Sequence, residues 1–191
     1  MERSDADALD VHARIVYAGP RGAGKTETLR AVRDSLDAAC TGPLLAPTDE
    51  TGGTVLFDLL TVELGRLHER DLRLQLLAPA GAGVPDALRR RLLGSADAIV
   101  FVADGAPGRL QANLVAFREL ATDLAELPGG GAVPLLLQFN KRDLADAIDR
   151  DELARCLDAG DRTIHETSAL RREGVLEPLL DAAVRVVGAL A

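Results

Sequence analysis

Lysine is nearly missing from this chain of 191 residues, with two lysines against twenty arginines. Net positive charge is missing too. A formal charge of −8 argues against a nucleic-acid partner held by phosphate neutralisation, which calls for a basic face. No apolar run approaches the roughly 18–20 residues that span a bilayer. Residues 1–12 carry Asp5, Asp7 and Asp10 and do not read as a signal peptide. Glu2 stands where N-myristoylation needs glycine, and the segment Val186-Val-Gly-Ala-Leu-Ala191 has no cysteine box, so no direct membrane anchor is expected. The expected location is the cytoplasm. Cys40 and Cys156 are far apart and read as reduced, partly buried thiols, while His12, His68 and His165 show no ligand spacing. That excludes the common zinc and disulfide frameworks.

What is present suits a folded α/β protein. A content of 47% hydrophobic and 27% charged residues is that of a globular chain, and the length fits one domain over 1–191 with a flexible N-terminus over 1–12. Strand-length apolar runs alternate with stretches of helical period, the pattern of a parallel sheet covered on both faces. Strands are expected over 13–18, 54–62, 72–77, 98–103, 133–139 and 162–166. The second and third, joined across 64–70, should form an antiparallel hairpin at one edge. Helices are expected after the first glycine loop (Leu29, Val32, Leu36 and Ala39 on one face), over 86–93, along Leu110 to Leu124, over 152–157 and along Val175 to Val187. Residues 41–53 have turn chemistry and no period, and read as a mobile loop.

The two lysines carry the functional reading. Lys25 closes Gly19-Pro-Arg-Gly-Ala-Gly-Lys-Thr26, directly after the first strand and at the start of a helix. This is the phosphate-binding P-loop in its proper context. Glycines let backbone N–H groups converge on a phosphate, the helix adds its positive end, Lys25 reaches the β- and γ-phosphates, and Thr26 offers a hydroxyl to Mg²⁺. Lys141 lies in Asn140-Lys-Arg-Asp143, at the carboxyl end of a buried strand, where ligands sit in open α/β sheets. Asp143 can accept from guanine N1–H and N2, which adenine does not supply. The Lys141 stem would lie along the purine face, and Asn140 would tie this loop to the phosphate loop.

Glu166-Thr-Ser-Ala-Leu170 follows the last strand and resembles the third base-contacting loop of small GTPases, in which the Ala169 N–H would donate to guanine O6. Nucleotide contacts are accordingly expected at Gly19, Gly22, Ala23, Gly24, Lys25, Thr26, Glu27, Asn140, Lys141, Asp143, Ser168, Ala169 and Leu170. Val102-Ala-Asp104 reads as structural.

The pattern resembles the MglA-type bacterial polarity and gliding-motility GTPases across almost the whole chain, through the 19–26 loop, Thr54-Val-Leu-Phe-Asp58, Pro79-Ala-Gly81, Phe101-Val-Ala-Asp104, Gln138-Phe-Asn-Lys-Arg-Asp143 and Ser168. The resemblance implies a three-layer, Ras-like P-loop fold, with a mostly parallel six-stranded sheet, one antiparallel edge strand and helices on both faces. It further implies GTP or GDP with Mg²⁺ as ligands, Thr26 and Thr54 on the metal, and Lys25, Thr54 and Gly81 as the catalytic set. A roadblock-domain regulatory protein is the implied partner. Loops near 41–54 and 78–87 would be ordered by γ-phosphate and Mg²⁺.

Three positions depart from the small-GTPase pattern. Ala78 stands where Ras-like proteins carry the strand-end Asp, a position usually written Thr in the MglA type. Ala82 replaces the water-positioning glutamine, and Gly53 replaces the cis-acting arginine before Thr54. Arg21, Arg66 and Arg70 are the nearest other arginines and read as solvated charges. Two readings follow: a switch that hydrolyses GTP slowly, or a pseudo-GTPase platform held in one nucleotide state. An adenine-nucleotide enzyme would leave the Asn-Lys-x-Asp motif idle.

Overall fold

The computed structural model describes residues 11–48, 56–67, 70–80 and 84–189. In chain order the elements are β1 (Val11–Ala18), α1 (Lys25–Ser35), β2 (Phe57–Leu67), β3 (Arg70–Pro79), α2 (Asp86–Leu93), β4 (Ala98–Asp104), α3 (Leu110–Glu126), β5 (Leu135–Asn140), α4 (Arg150–Cys156), β6 (Ile164–Glu166) and α5 (Leu176–Ala189). The six strands form one sheet in the order β2-β3-β1-β4-β5-β6. Only the β2–β3 pair is antiparallel. This is the α/β, Ras-like P-loop arrangement expected from the sequence.

Strand parity explains the two faces. Along β4, Ala98, Val100 and Val102 belong to one core, with Leu29 and Val32 of α1 and Leu179 and Ala182 of α5. Ile99, Phe101 and Ala103 belong to the other, with Leu93 of α2, Leu120 of α3 and Leu153 of α4. Because both faces are covered, β4 is buried along its whole length, which is why it reads as unbroken apolar sequence. Phe101 meets Phe117 of α3 edge to face at 4.9 Å, a favoured aromatic geometry. The helix α2 is fastened to α3 by a buried acid, Asp123, which accepts from Arg89 at 2.7 Å and from Arg90 at 3.1 Å. Such an acid needs its cations, because an unpaired buried charge is costly.

Several expectations are corrected. Val11 and His12, placed in a flexible N-terminus, lie within β1 and pair with Leu72 and Arg73. The first helix ends at Ser35. Leu36 is already extended, and Ala39 falls in a single 3-10 turn, Ala38–Cys40, capped by the Asp37 side chain. The hairpin strands run further than expected, because Arg66 and Leu67 pair with Asp71 and Arg70 after a register shift past Glu63. Gly65 takes a positive φ of 81° there, the conformation a bulge of this kind uses. The stretch read as a mobile loop from Thr41 is partly paired: Thr41 and Leu45 bridge the outer edge of β2 opposite Val62 and Leu59. Cys156 is exposed rather than partly buried.

Candidate nucleotide site

β1 neighbours β3 on one side and β4 on the other, so the chain leaving β1 enters the crevice where connections diverge, the usual ligand position in such sheets. Residues 19–24 make the turn from β1 to α1. Gly24 sits before α1 at φ 94°, and a Cβ on it would lie 2.3 Å from the Asn140 amide nitrogen. Only glycine satisfies both demands. The Lys25 ammonium folds back over the loop and donates to the carbonyls of Gly19 and Pro20 at 2.9 and 3.0 Å. Burial lowers its pKa to about 8, and the nearby negative charge of Asp58 acts in the opposite direction. The amides of the first turn of α1 and this ammonium together make a site for a polyanion.

Thr26 meets a group the sequence reading passed over. Its hydroxyl donates to the carboxylate of Asp58, which is 1% exposed. Asp58 is the register partner of Ala78. Because β2 runs antiparallel, its amino end lies at the carboxyl edge of the other strands, and Asp58 shares a side with its cross-strand neighbour. Ala78 packs in the core beneath α1, so the Asp58 carboxylate reaches the α1 terminus from one strand further out. A hydroxyl and a carboxylate are hard oxygen donors that suit Mg²⁺, which takes few protein ligands and completes its shell with phosphate and water. No group of three or more His, Cys, Asp or Glu gathers as a metal cluster among the described residues.

The base-facing loops converge through Asn140. Its amide donates to the Ala23 carbonyl at 2.8 Å, and its oxygen accepts from the Ala169 N–H at 2.9 Å and from Thr167 Oγ1 at 3.2 Å. One 2%-exposed side chain therefore joins the loops after β1, β5 and β6. Gln138, two residues earlier on the same strand, donates to Thr28 of α1 at 3.0 Å and to Thr167 at 3.1 Å. The Ala169 N–H, read as a donor to guanine O6, is directed at Asn140 in this structure. Asp143 accepts from Ser168 Oγ at 2.6 Å, and that bond is the main cause holding its carboxyl below the usual range. Lys141, at φ 67°, pairs with the buried Asp104 at 2.8 Å.

Not every expected residue joins this arrangement. Glu27 lies in the first turn of α1 but pairs at the surface with Arg30 at 3.2 Å, and Leu170 is 74% exposed. Thr54 and Gly81, with Gly53 and Ala82, lie outside the described residues. Arg21 is exposed. The sequence reading gives no site role to Asp58, Gln138 or Thr167, which stand in its motifs, reads Asp104 as structural, and misses Arg109. For Asp58 a signal existed: Asp58, Leu60 and Val62 share one parity, and the other two are fully buried, so a charge there faced inward.

No family model matches the chain. It is 34% identical over 167 residues to the mutual gliding-motility protein MglA of Myxococcus xanthus (strain DK1622), a match that covers 87% of this chain and 85% of that protein. Identity of that extent, on a Ras-like P-loop fold, places the chain in a family: it belongs to the MglA-type small Ras-like GTPases.

Proposed function

We propose that the protein is a guanine-nucleotide-dependent switch, a single domain that binds GTP and GDP with Mg²⁺, hydrolyses GTP slowly and acts through a partner in the cytoplasm. The observation that carries this reading is the Asn140 side chain, which bonds the phosphate loop at Ala23 and the base loop at Ala169 simultaneously. A site whose phosphate-facing and base-facing loops share one buried amide is suited to a ligand bearing both groups. Lys25 would turn from two loop carbonyls to phosphate oxygens, which are stronger acceptors for an ammonium. Thr26 and Asp58 would hold the cation. Mg²⁺ held there would neutralise phosphate charge. Asp143 would select guanine through its two acceptor oxygens, Lys141 would lie along the base, and the Ala169 N–H, held by Asn140 in this structure, would be shared with O6 beside Ser168. Thr54 and Gly81 would complete the set on the γ-phosphate side.

Slow hydrolysis follows from Gly53 and Ala82, because neither can neutralise γ-phosphate charge or orient water, and an arginine alone can carry about 10³–10⁵ in rate. The same two positions favour the second reading, an interaction platform that binds nucleotide without turnover. The family resemblance points to a roadblock-domain protein as the partner. No helix among the described residues is long and apolar enough to cross a membrane, which accords with action at a protein surface.

The deciding experiment is to denature the purified protein and identify released nucleotide by chromatography, then compete a fluorescent GTP analogue with GTP, GDP and ATP. Guanine nucleotide is expected in the released fraction, and ATP is expected to compete only at far higher concentration. Equal competition by ATP and GTP would overturn the guanine assignment. Phosphate release from the GTP-loaded protein separates the slow switch from the platform.

A further inference from the structure

We propose that Arg109 is a positioning residue for the phosphate loop, coupling that loop to the base loop through the buried carboxylate of Asp104. The inference deepens the nucleotide reading above and rests on it.

Arg109 stands just before α3, far along the chain from either motif. Its Nε donates to Asp104 Oδ2 at 3.0 Å, and its Nη2 donates to the main-chain carbonyl of Arg21. That Nη2 is also the nearest atom, at 3.8 Å, to the point where a Cβ on Gly22 would lie. The guanidinium therefore rests against the crest of the phosphate loop. Asp104 divides its two oxygens. Oδ2 takes Arg109, while Oδ1 takes Lys141 at 2.8 Å and the Ala106 N–H at 3.0 Å. Its side chain is 1% exposed, so both cations meet an acid that water hardly screens. Asn113 of α3 fixes the backbone at this point, accepting from the Asp104 N–H and donating to the Asp104 carbonyl, both at 2.8 Å. The acid is thus rigidly mounted, and the lysine of the base loop and the arginine on the phosphate loop hang from it together.

The geometry suggests what Arg109 does for a ligand. In a trans peptide the C=O and the following N–H point in opposite directions, and no described peptide bond is cis. Holding the Arg21 carbonyl toward α3 turns the Gly22 N–H the other way, toward the concave side of the loop where phosphate amide donors are needed. A planar fork with donors at fixed separation can hold a carboxylate and a carbonyl at once, whereas an ammonium carries its charge at a single point. An ordinary surface arginine contributes little. Arg109 differs because one partner is a buried, anchored acid and the other is a main-chain carbonyl of the loop itself.

The test measures release of fluorescent GDP from the full chain and from Arg109→Ala, Arg109→Lys and Arg109→Gln, alongside equilibrium binding of GDP and of GMP, which has no β-phosphate. Arg109→Ala is expected to speed GDP release about tenfold, the loss expected for one hydrogen bond to a charged group. Arg109→Lys should recover part of this. GMP affinity should move less than twofold, since the oriented amide serves the distal phosphates, so the GDP-to-GMP affinity ratio falls. A merely structural arginine would loosen both ligands equally. GDP release within twofold of wild type in Arg109→Ala, or equal weakening of GDP and GMP, overturns the positioning role. Arg109→Gln supplies the same comparison should the alanine variant lose its fold. A wild type without GDP affinity would overturn the nucleotide reading itself, a different result from a binding wild type with an indifferent Arg109→Ala.

Discussion

The half of the site built on β1, β5 and β6 and the half built on the β2–β3 hairpin hold their polar groups in different ways. In the first, Asn140, Gln138 and Thr167 share four hydrogen bonds with one another and with α1 and the phosphate loop, each between 2.8 and 3.2 Å. All three side chains are buried, so every bond left unmade would cost about 1–3 kcal/mol. On the hairpin side a single described acid, Asp58, reaches the phosphate loop, and it does so from a strand at the sheet edge. The residue types that would complete chemistry there are absent from Gly53, Ala78 and Ala82. On the proposed reading, the groups for recognition are tied to one another, while the residue types for turnover are missing from their usual places. Binding and hydrolysis should therefore respond separately to substitution.

The largest separation is expected at Lys25. Lys25→Ala should weaken GTP and GDP by roughly a thousandfold, on the scale of two charge-assisted hydrogen bonds to phosphate. The ligand-free protein should melt no lower, because its buried ammonium is held at a cost that burial makes visible in a pKa of about 8. Titration with a fluorescent GTP analogue and a melting curve test both halves. Affinity within a factor of two of wild type would refute the phosphate-loop reading.

Asp143→Asn comes next. Replacing one acceptor with an amide donor opposite guanine N1–H should weaken GTP by about two to three orders of magnitude and shift preference toward xanthosine triphosphate, whose C2 oxygen accepts. Competition between the two nucleotides decides it. An unchanged preference would mean that the base lies elsewhere than against the loop after β5.

How far these groups could be read from sequence follows from how their partners are spaced. The phosphate loop and the loops after β5 and β6 are contiguous strings whose residue types match the tasks proposed for them, so Lys25, Asn140 and Asp143 stand out. The antiparallel edge hairpin likewise follows from its short connection. Asp58 does not announce itself, because its role depends on register: it lies twenty residues from Ala78 yet opposite it. Arg109 escapes for a similar reason, since only the pairing of β4 with β1 sets the loop after β4 against Arg21. The end of α1 is hidden because Leu36 and Ala39 continue the apolar phase after the backbone has left the helix. The extension of β2 is hidden because 64–70 reads as the connection of the hairpin, although Arg66 and Leu67 pair with Asp71 and Arg70.

The register of Asp58 can itself be tested by exchange. Asp58→Ala should reduce the Mg²⁺ sensitivity of GDP binding by about 10–100-fold, the usual cost of losing a group that ligates or orients at a metal. Adding Ala78→Asp returns a carboxylate to the adjacent strand on the same side. If the site needs an acid at this place rather than Asp58 in particular, Asp58→Ala with Ala78→Asp should recover much of the loss. GDP release measured across a Mg²⁺ series in wild type, Asp58→Ala and the double variant reads the effect. Identical Mg²⁺ dependence in all three would show that Asp58 serves only to satisfy Thr26.

The smallest effect is expected on the proposed slow hydrolysis. Gly53→Arg should bring back a cation for the γ-phosphate, and Ala82→Gln a group that can hold the attacking water. Each alone lacks its counterpart. A cation without oriented water stabilises a transition state that is rarely approached, and oriented water without the cation meets an unneutralised leaving phosphate. The two changes together should therefore raise single-turnover hydrolysis by more than the product of the separate gains, the non-additivity expected of groups that act as a unit. A combined gain of about tenfold is a modest expectation beside the 10³–10⁵ that a well-placed arginine can carry, since neither new side chain has been packed into position by its surroundings. Nucleotide affinity should hold within a few-fold, because Lys25, Thr26 and Asp143 are untouched. Phosphate release from the GTP-loaded wild type, both single variants and the double variant checks this. A wild type that already turns over at a stimulated rate would refute the proposed slow hydrolysis, and would place a water-orienting group elsewhere within residues 41–87.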